Sequence, residues 1–165
     1  MPLAFYLSDI FMVALAIAAV ASALPESRHK VVPRWHLLLP GVLATVSAVA
    51  ALVYPHPPDL LELEMWLIGA AGLLIGAARA SFMGMESDHA WGLVRLRHGK
   101  DTLWTAVAFA LFALIHFFVE MITRDVNPYM TSVVLLMTLS GSYLIGRSLI
   151  GWIRAAQVAH VDLHD

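Results

Sequence analysis

The 165-residue chain contains no cysteine. That excludes disulfides, thiol redox chemistry, thiolate zinc sites and thioether haem attachment. Charge is also scarce: 13% of residues are Asp, Glu, Lys or Arg, against about 25% in a soluble domain. The net charge is −2, and no basic run is long enough to serve a nucleic acid. Nucleophile elbows, phosphate loops and zinc-protease motifs are missing. What is present is apolar: 60% of residues are hydrophobic and the mean hydropathy is +0.77.

The few charges cluster between long apolar runs. A run of about 20 apolar residues matches a bilayer core about 30 Å thick. The pattern predicts an all-α integral membrane protein, a single domain built as a five-transmembrane-helix bundle. The expected helices cover residues 3–24, 37–54, 60–82, 102–122 and 130–153. Pro40 sits in the first turn of the second, where a missing N–H is tolerated. Residues 55–58 form a short, stiff proline loop, and Asp59 with Glu62 reads as a capping pair for the third helix. Residues 83–101 are the longest polar stretch, expected to form a short hairpin or an amphipathic loop between helices 3 and 4. The first run ends in Ala21-Ser22-Ala23, which resembles a signal-peptidase site. Residues 1–10 hold no Lys or Arg, however, so a retained helix is expected.

Orientation follows from the Lys/Arg count. Five crossings put nine of the ten basic residues, all but Arg124, on one side. The N-terminus is then outside and the C-terminus in the cytoplasm, in a bacterial inner membrane. Trp35, Trp66, Trp91, Trp104 and Trp152 fall near span ends, as an aromatic belt requires.

Gly72, Gly76 and Ala80 lie four apart on one face of helix 3, a spacing that lets two helix backbones approach closely in lipid. Helix 3 is therefore expected at the centre of the bundle. The alternative use of that face is association with a second copy or another membrane protein. Gly141, Gly146 and Gly151 lie five apart and drift around helix 5.

Ionisable residues inside a bilayer are costly, so each is a functional candidate. An outer layer holds Asp9, Glu62, Glu64, His116 and Glu120. His116 and Glu120 share a face of helix 4 and could bind a divalent metal or pass a proton, although a catalytic zinc needs a third ligand. The plainer expectation is a water-accessible Glu120 and a hydrogen-bonded His116. An inner layer holds Arg79, Arg147, Arg95, Arg97, Lys100, His36 and His89, with Glu86 and Asp88. Arg79 and Arg147 can snorkel to lipid phosphates. A sharper reading is a pocket for an anionic head group or carboxylate, with Asp88 or Glu86 as internal partner. Met83, Met85 and His89 offer thioether and imidazole groups of the kind that suit Cu(I). Interfacial anchoring of the methionines is the plainer reading. One well-inserted histidine, His116, does not supply the usual axial pair for haem.

The order of features resembles the CcdC-like family of small bacterial membrane proteins. The resembling parts are a basic loop entering a Leu-Pro helix (Arg34-Trp35-His36-Leu37-Leu38-Leu39-Pro40), an acidic entry to a glycine-rich third helix (residues 62–76), a charged stretch (residues 86–100) and a last helix with Gly146-Arg147. The resemblance implies a helper of cytochrome maturation. It brings no catalytic motif and no functional residue. The leading expectation is an accessory or assembly protein without catalysis, in contact with membrane lipids and a membrane partner. The alternatives are a small proton- or ion-coupled transporter using Asp9, His116, Glu120 and Arg79/Arg147, and a membrane enzyme with a metal or acid–base site at His116/Glu120.

Overall fold

The structure, a computed structural model, describes residues 2–53, 63–97, 99–122 and 128–163. Glu62, the loop at 55–58, the capping pair at 59 and 62, and Arg124 lie outside the described residues. The described chain is mostly helical: α1 (Pro2–Ser27), a 3-10 turn (Arg34–Leu38), α2 (Leu39–Val53), α3 (Leu63–Ser81), α4 (Lys100–Ile122) and α5 (Pro128–Arg154). Three short strands join them: β1 (Val32–Pro33), β2 (Met85–Asp88) and β3 (Leu93–Leu96). Four of the helices, α1, α3, α4 and α5, are long and apolar enough to cross a membrane.

Helix α1 runs a turn beyond the expected end at Leu24. Pro25 lies inside its last turn, where the lost N–H breaks only one ladder bond. The buried positions explain the extension. Met12, Ala16, Ala19, Ala23 and Glu26 are all buried and step by four, three, four and three along one face. The helix then closes on two turn bonds, His29 N–H to Glu26 O at 3.2 Å and Lys30 N–H to Pro25 O at 3.1 Å. His29 takes the left-handed conformation with φ 55°. This is the Schellman arrangement, in which glycine normally occupies the left-handed position.

The hub of the bundle is α5, not α3 as the glycine spacing predicts. A Cβ at Gly72 would lie 2.5 Å from Leu139 O, and one at Gly76 would strike Tyr143 O. A Cβ at Gly146 would strike Leu73 O in return. So α3 and α5 touch backbone to backbone, and α5 fills the Gly72/Gly76 face that a second chain would need. The remaining surface of α3 is open, with Leu67, Leu74 and Ile75 exposed. Of the α5 glycines, Gly146 and Gly141 face neighbouring helices, whereas a Cβ at Gly151 would meet nothing within 4 Å. Gly146 meets α3, Gly141 meets Phe109 of α4 and Ala44 and Ala48 of α2, and Gly41 of α2 packs on Ile145 and Ser148. Between the helices lies an apolar core that includes Met12, Ala16, Ala19, Ala44, Phe109, Ala113, Met137 and Leu144.

A small cap covers one end of the bundle. It is an antiparallel sheet in the order β1-β3-β2, with Val32 opposite Val94 and Met85 opposite Leu96. Pro33, which cannot donate to a ladder, sits on the edge strand, as expected. Val32, Leu37, Met83, Met85, Val94, Leu96 and Ala155 form a second core beneath the sheet. Met83 and Met85 are therefore buried in the cap and do not anchor it at an interface.

The C-terminal segment docks on the outer edge of β2. Val161 N–H donates to Ser87 O at 2.9 Å, and Ser87 Oγ donates to Ala155 O at 2.8 Å. Burial pushes the Asp88 carboxyl up, but backbone N–H groups of Trp91, Leu163 and Ala90, with His160 nearby, more than offset it and hold it below the ordinary range. A carboxylate with a lowered folded pKa stabilises the fold above its unfolded pKa and stops doing so as pH falls through the folded value. Hydrogen exchange at the Val161 and Leu163 amides should thus stay slow at neutral pH. It should accelerate only below about pH 4, and Asp88→Asn should make it fast at every pH.

Candidate functional site

Arg147 is the largest fully buried side chain among the described residues. It projects from α5 toward the cap end, where the buried stripes of α1 and α4 both finish on polar groups. Arg147 Nη1 donates to Glu26 Oε2 at 3.1 Å, Nε to Asp101 Oδ2 at 3.3 Å, and Nη2 to Met83 Sδ at 3.1 Å. Thr102 Oγ1 adds a bond to Glu26 Oε2 at 3.2 Å, and Tyr143 O–H reaches Asp101 Oδ2 at 3.3 Å. Arg79 Nε then binds the same Asp101 oxygen from the rim at 3.1 Å. One guanidinium thus ties α1, α4 and α5 to Met83 at the base of the cap, and Arg79 extends the network to α3. Desolvating two charges costs as much as their attraction returns, so the pair fixes which helices meet there more than it adds to stability.

Outside this network lies a half-open cleft of about 300 Å³ lined by His29, Arg79, Arg97, Lys100 and Asp101. Asp101 occupies the first turn of α4, where the helix dipole favours a carboxylate. On the cap, Glu86 receives two bonds from Arg95, at 3.0 and 2.8 Å, and two from Arg97, at 3.2 and 2.9 Å. These bonds hold the Glu86 carboxyl below its ordinary range. Two further cations cap helix ends: Arg34 Nε donates to Trp152 O at 3.0 Å, and Arg154 donates to Ala80 O and Met83 O. Both complement the negative ends of helices.

Of the inner candidates, Arg79, Arg97 and Lys100 gather at the cleft and Arg95 joins Arg97 on Glu86. Asp88 instead holds the Ala90 and Leu163 amides, while His89 packs on His160 and His36 on Trp35. Arg147 faces Glu26 and Asp101, neither Glu86 nor Asp88, and it is buried, not snorkelling. Glu26 and Asp101 escape sequence reasoning because Pro25 reads as a helix stop and Asp101 as a helix start. The stripe of Met12, Ala16, Ala19 and Ala23 is the signal that points to Glu26. Met83, Met85 and His89 do not converge: the methionines lie beneath the sheet, and the His89 ring packs against His160 with centroids 5.9 Å apart.

In the outer layer, His116 Nδ1 lies 3.5 Å from Glu120 Oε2, and neither atom has a hydrogen-bond partner among the described residues. Asp9 of α1 is near enough for its charge to act on Glu120. Glu64 is exposed, and Glu62 is outside the described residues. Among the described residues no three His, Asp or Glu side chains gather to hold a metal ion. Asp101 and His116 stand fifteen positions apart on α4, about 22 Å along the axis. Ala106, Phe109 and Ala113 are fully buried between them, so packed apolar side chains separate the two layers. No protein-family model, curated protein or solved structure matches the chain.

Proposed function

We propose that the chain is a multi-pass accessory or assembly protein of a bacterial inner membrane, without catalysis of its own, and that the cap is the part that meets its partner. The observation that carries this reading is Arg147. The largest fully buried side chain among the described residues is paired with Glu26 and Asp101, which joins helices. In this reading α2 is the fifth crossing. Its 3-10 entry rises about 2 Å per residue and its α-helical part about 1.5 Å, so residues 34–53 span about 32 Å.

The Lys/Arg bias supports an outside N-terminus and a cytoplasmic cap, and exposed Trp35, Trp66, Trp91 and Trp104 suit membrane interfaces. The likeness to CcdC-like proteins makes cytochrome biogenesis or a respiratory complex the first place to seek the partner. Crosslinking in native membranes, followed by affinity purification, tests the role. A defined membrane partner crosslinked through cap positions such as Arg95 is the expected result. A clean monomer without crosslinks overturns the reading.

A second reading, a proton-coupled carrier, draws on the unbonded His116–Glu120 pair beside Asp9. It needs a path through the packed core between the two layers. The accessory role needs none.

A further inference from the structure

The cleft beside the buried network has more positive charge than its own carboxylates match. Among the described residues Arg79, Arg95, Arg97, Lys100 and Arg147 face Glu26, Glu86 and Asp101 alone, so two positive charges are unanswered there. One is Lys100 and the other belongs to the Arg95–Arg97 pair that shares Glu86; Lys100 and Arg97 line the cleft. Lys100 is exposed and pairs with no carboxylate among the described residues. Among the described residues Arg79 bonds Asp101 through Nε alone, which leaves both terminal nitrogens for a ligand. Arg97 binds Glu86 through Nε and Nη2, which leaves Nη1.

His29 is an independent pointer. It occupies the left-handed closing position of α1, φ 55°, where a side chain costs energy that glycine avoids. The residue nevertheless lines the cleft. Nδ1 donates to Leu96 O at 3.0 Å, because a carbonyl can only accept, and Nε2 remains as the ring's other polar atom. A strained backbone position that keeps a polar ring at a cleft wall is the kind of outlier from which a functional role is inferred.

We infer that the cleft binds a phosphomonoester, with Arg79, Arg97, Lys100 and His29 holding its oxygens. Two unmatched positive charges suit a dianionic monoester better than a singly charged diester. The volume, about 300 Å³, is at the small end of ligand sites and fits a phosphate with a short substituent. The inference stands whether or not the cap has a protein partner.

The test uses the full chain in phosphatidylcholine nanodiscs. One arm adds phosphatidic acid to the bilayer. The other titrates glycerol 3-phosphate and inorganic phosphate in solution, so the arms separate a lipid source from a soluble one. Binding is read by native mass spectrometry and calorimetry. Wild type should bind in one arm or both, and phosphatidylserine, a diester, should bind more weakly. Lys100→Ala should weaken binding about tenfold or more, the effect of losing a charge-assisted bond. His29→Gly should weaken it severalfold while the melting temperature stays level or rises, because glycine suits the backbone there. Equal binding by wild type and both variants, equal binding of phosphatidylserine, or no binding in either arm would each overturn the inference.

Discussion

Arg147→Ala is expected to cost about 3–5 kcal/mol of stability, the range for breaking a buried ion pair from one side. The loss comes mainly from what stays behind. Glu26 is 1% exposed, its Oε1 has no hydrogen-bond partner among the described residues, and without Arg147 its Oε2 keeps only Thr102. Asp101 suffers less, because Arg79 still holds it. Removing both charges should therefore do less harm than removing one: Glu26→Leu with Arg147→Met should recover most of the loss. Thermal unfolding of Glu26→Leu, Arg147→Met and the double variant in detergent forms a double-mutant cycle. A double variant as unstable as the sum of the singles would show that the two residues act separately.

The second large effect lies at the α3–α5 contact. Gly76→Ala puts a methyl group against Tyr143 O and Arg147 N, which are backbone atoms that cannot rotate aside. Overpacking usually costs about 1–3 kcal/mol, and this site should fall at or above the top of that range because the helices must separate. The shift would also move Arg147, so the ion network should loosen with the contact. Gly69→Ala on the same helix is the control. Its nearest neighbour would be Ser142 Oγ at 3.6 Å, an ordinary contact, and it should be near neutral. Expression level and melting temperature of the pair decide the matter, and equal behaviour would refute the close-contact account.

Span positions are legible in the sequence because partition into lipid depends on length and composition, which a hydropathy count measures directly. The ends of α3 and α5 at Ser81 and Arg154 and the start of α4 at Lys100 fall within about two residues of those expected from the apolar runs. Packing is less legible. Glycines four apart on α3 reveal a close contact and not its partner. Glycines five apart on α5 look undirected, yet Gly146 faces α3 and Gly141 faces α2 and α4. The pairing of Val32–Pro33 with β3 joins residues sixty or more positions apart, and a two-residue strand has no period to read. The charge layer was half visible: Arg79 and Arg147 stand out against apolar neighbours, whereas Glu26 hides behind Pro25.

The Glu26–Arg147 pair also constrains the order of events during synthesis. Its partners are 121 residues apart. At about 5–20 residues per second a ribosome needs roughly 6–24 s to make that interval. For that time the end of α1 carries an unanswered carboxyl, and the sheet waits as well, since Ala155 beneath it and the segment that pairs with Ser87 come later still. Lateral closure of the bundle therefore waits for α5. A nascent chain stalled before α5 would be inserted but unlocked, with its acidic helix end open to whatever handles incomplete membrane proteins.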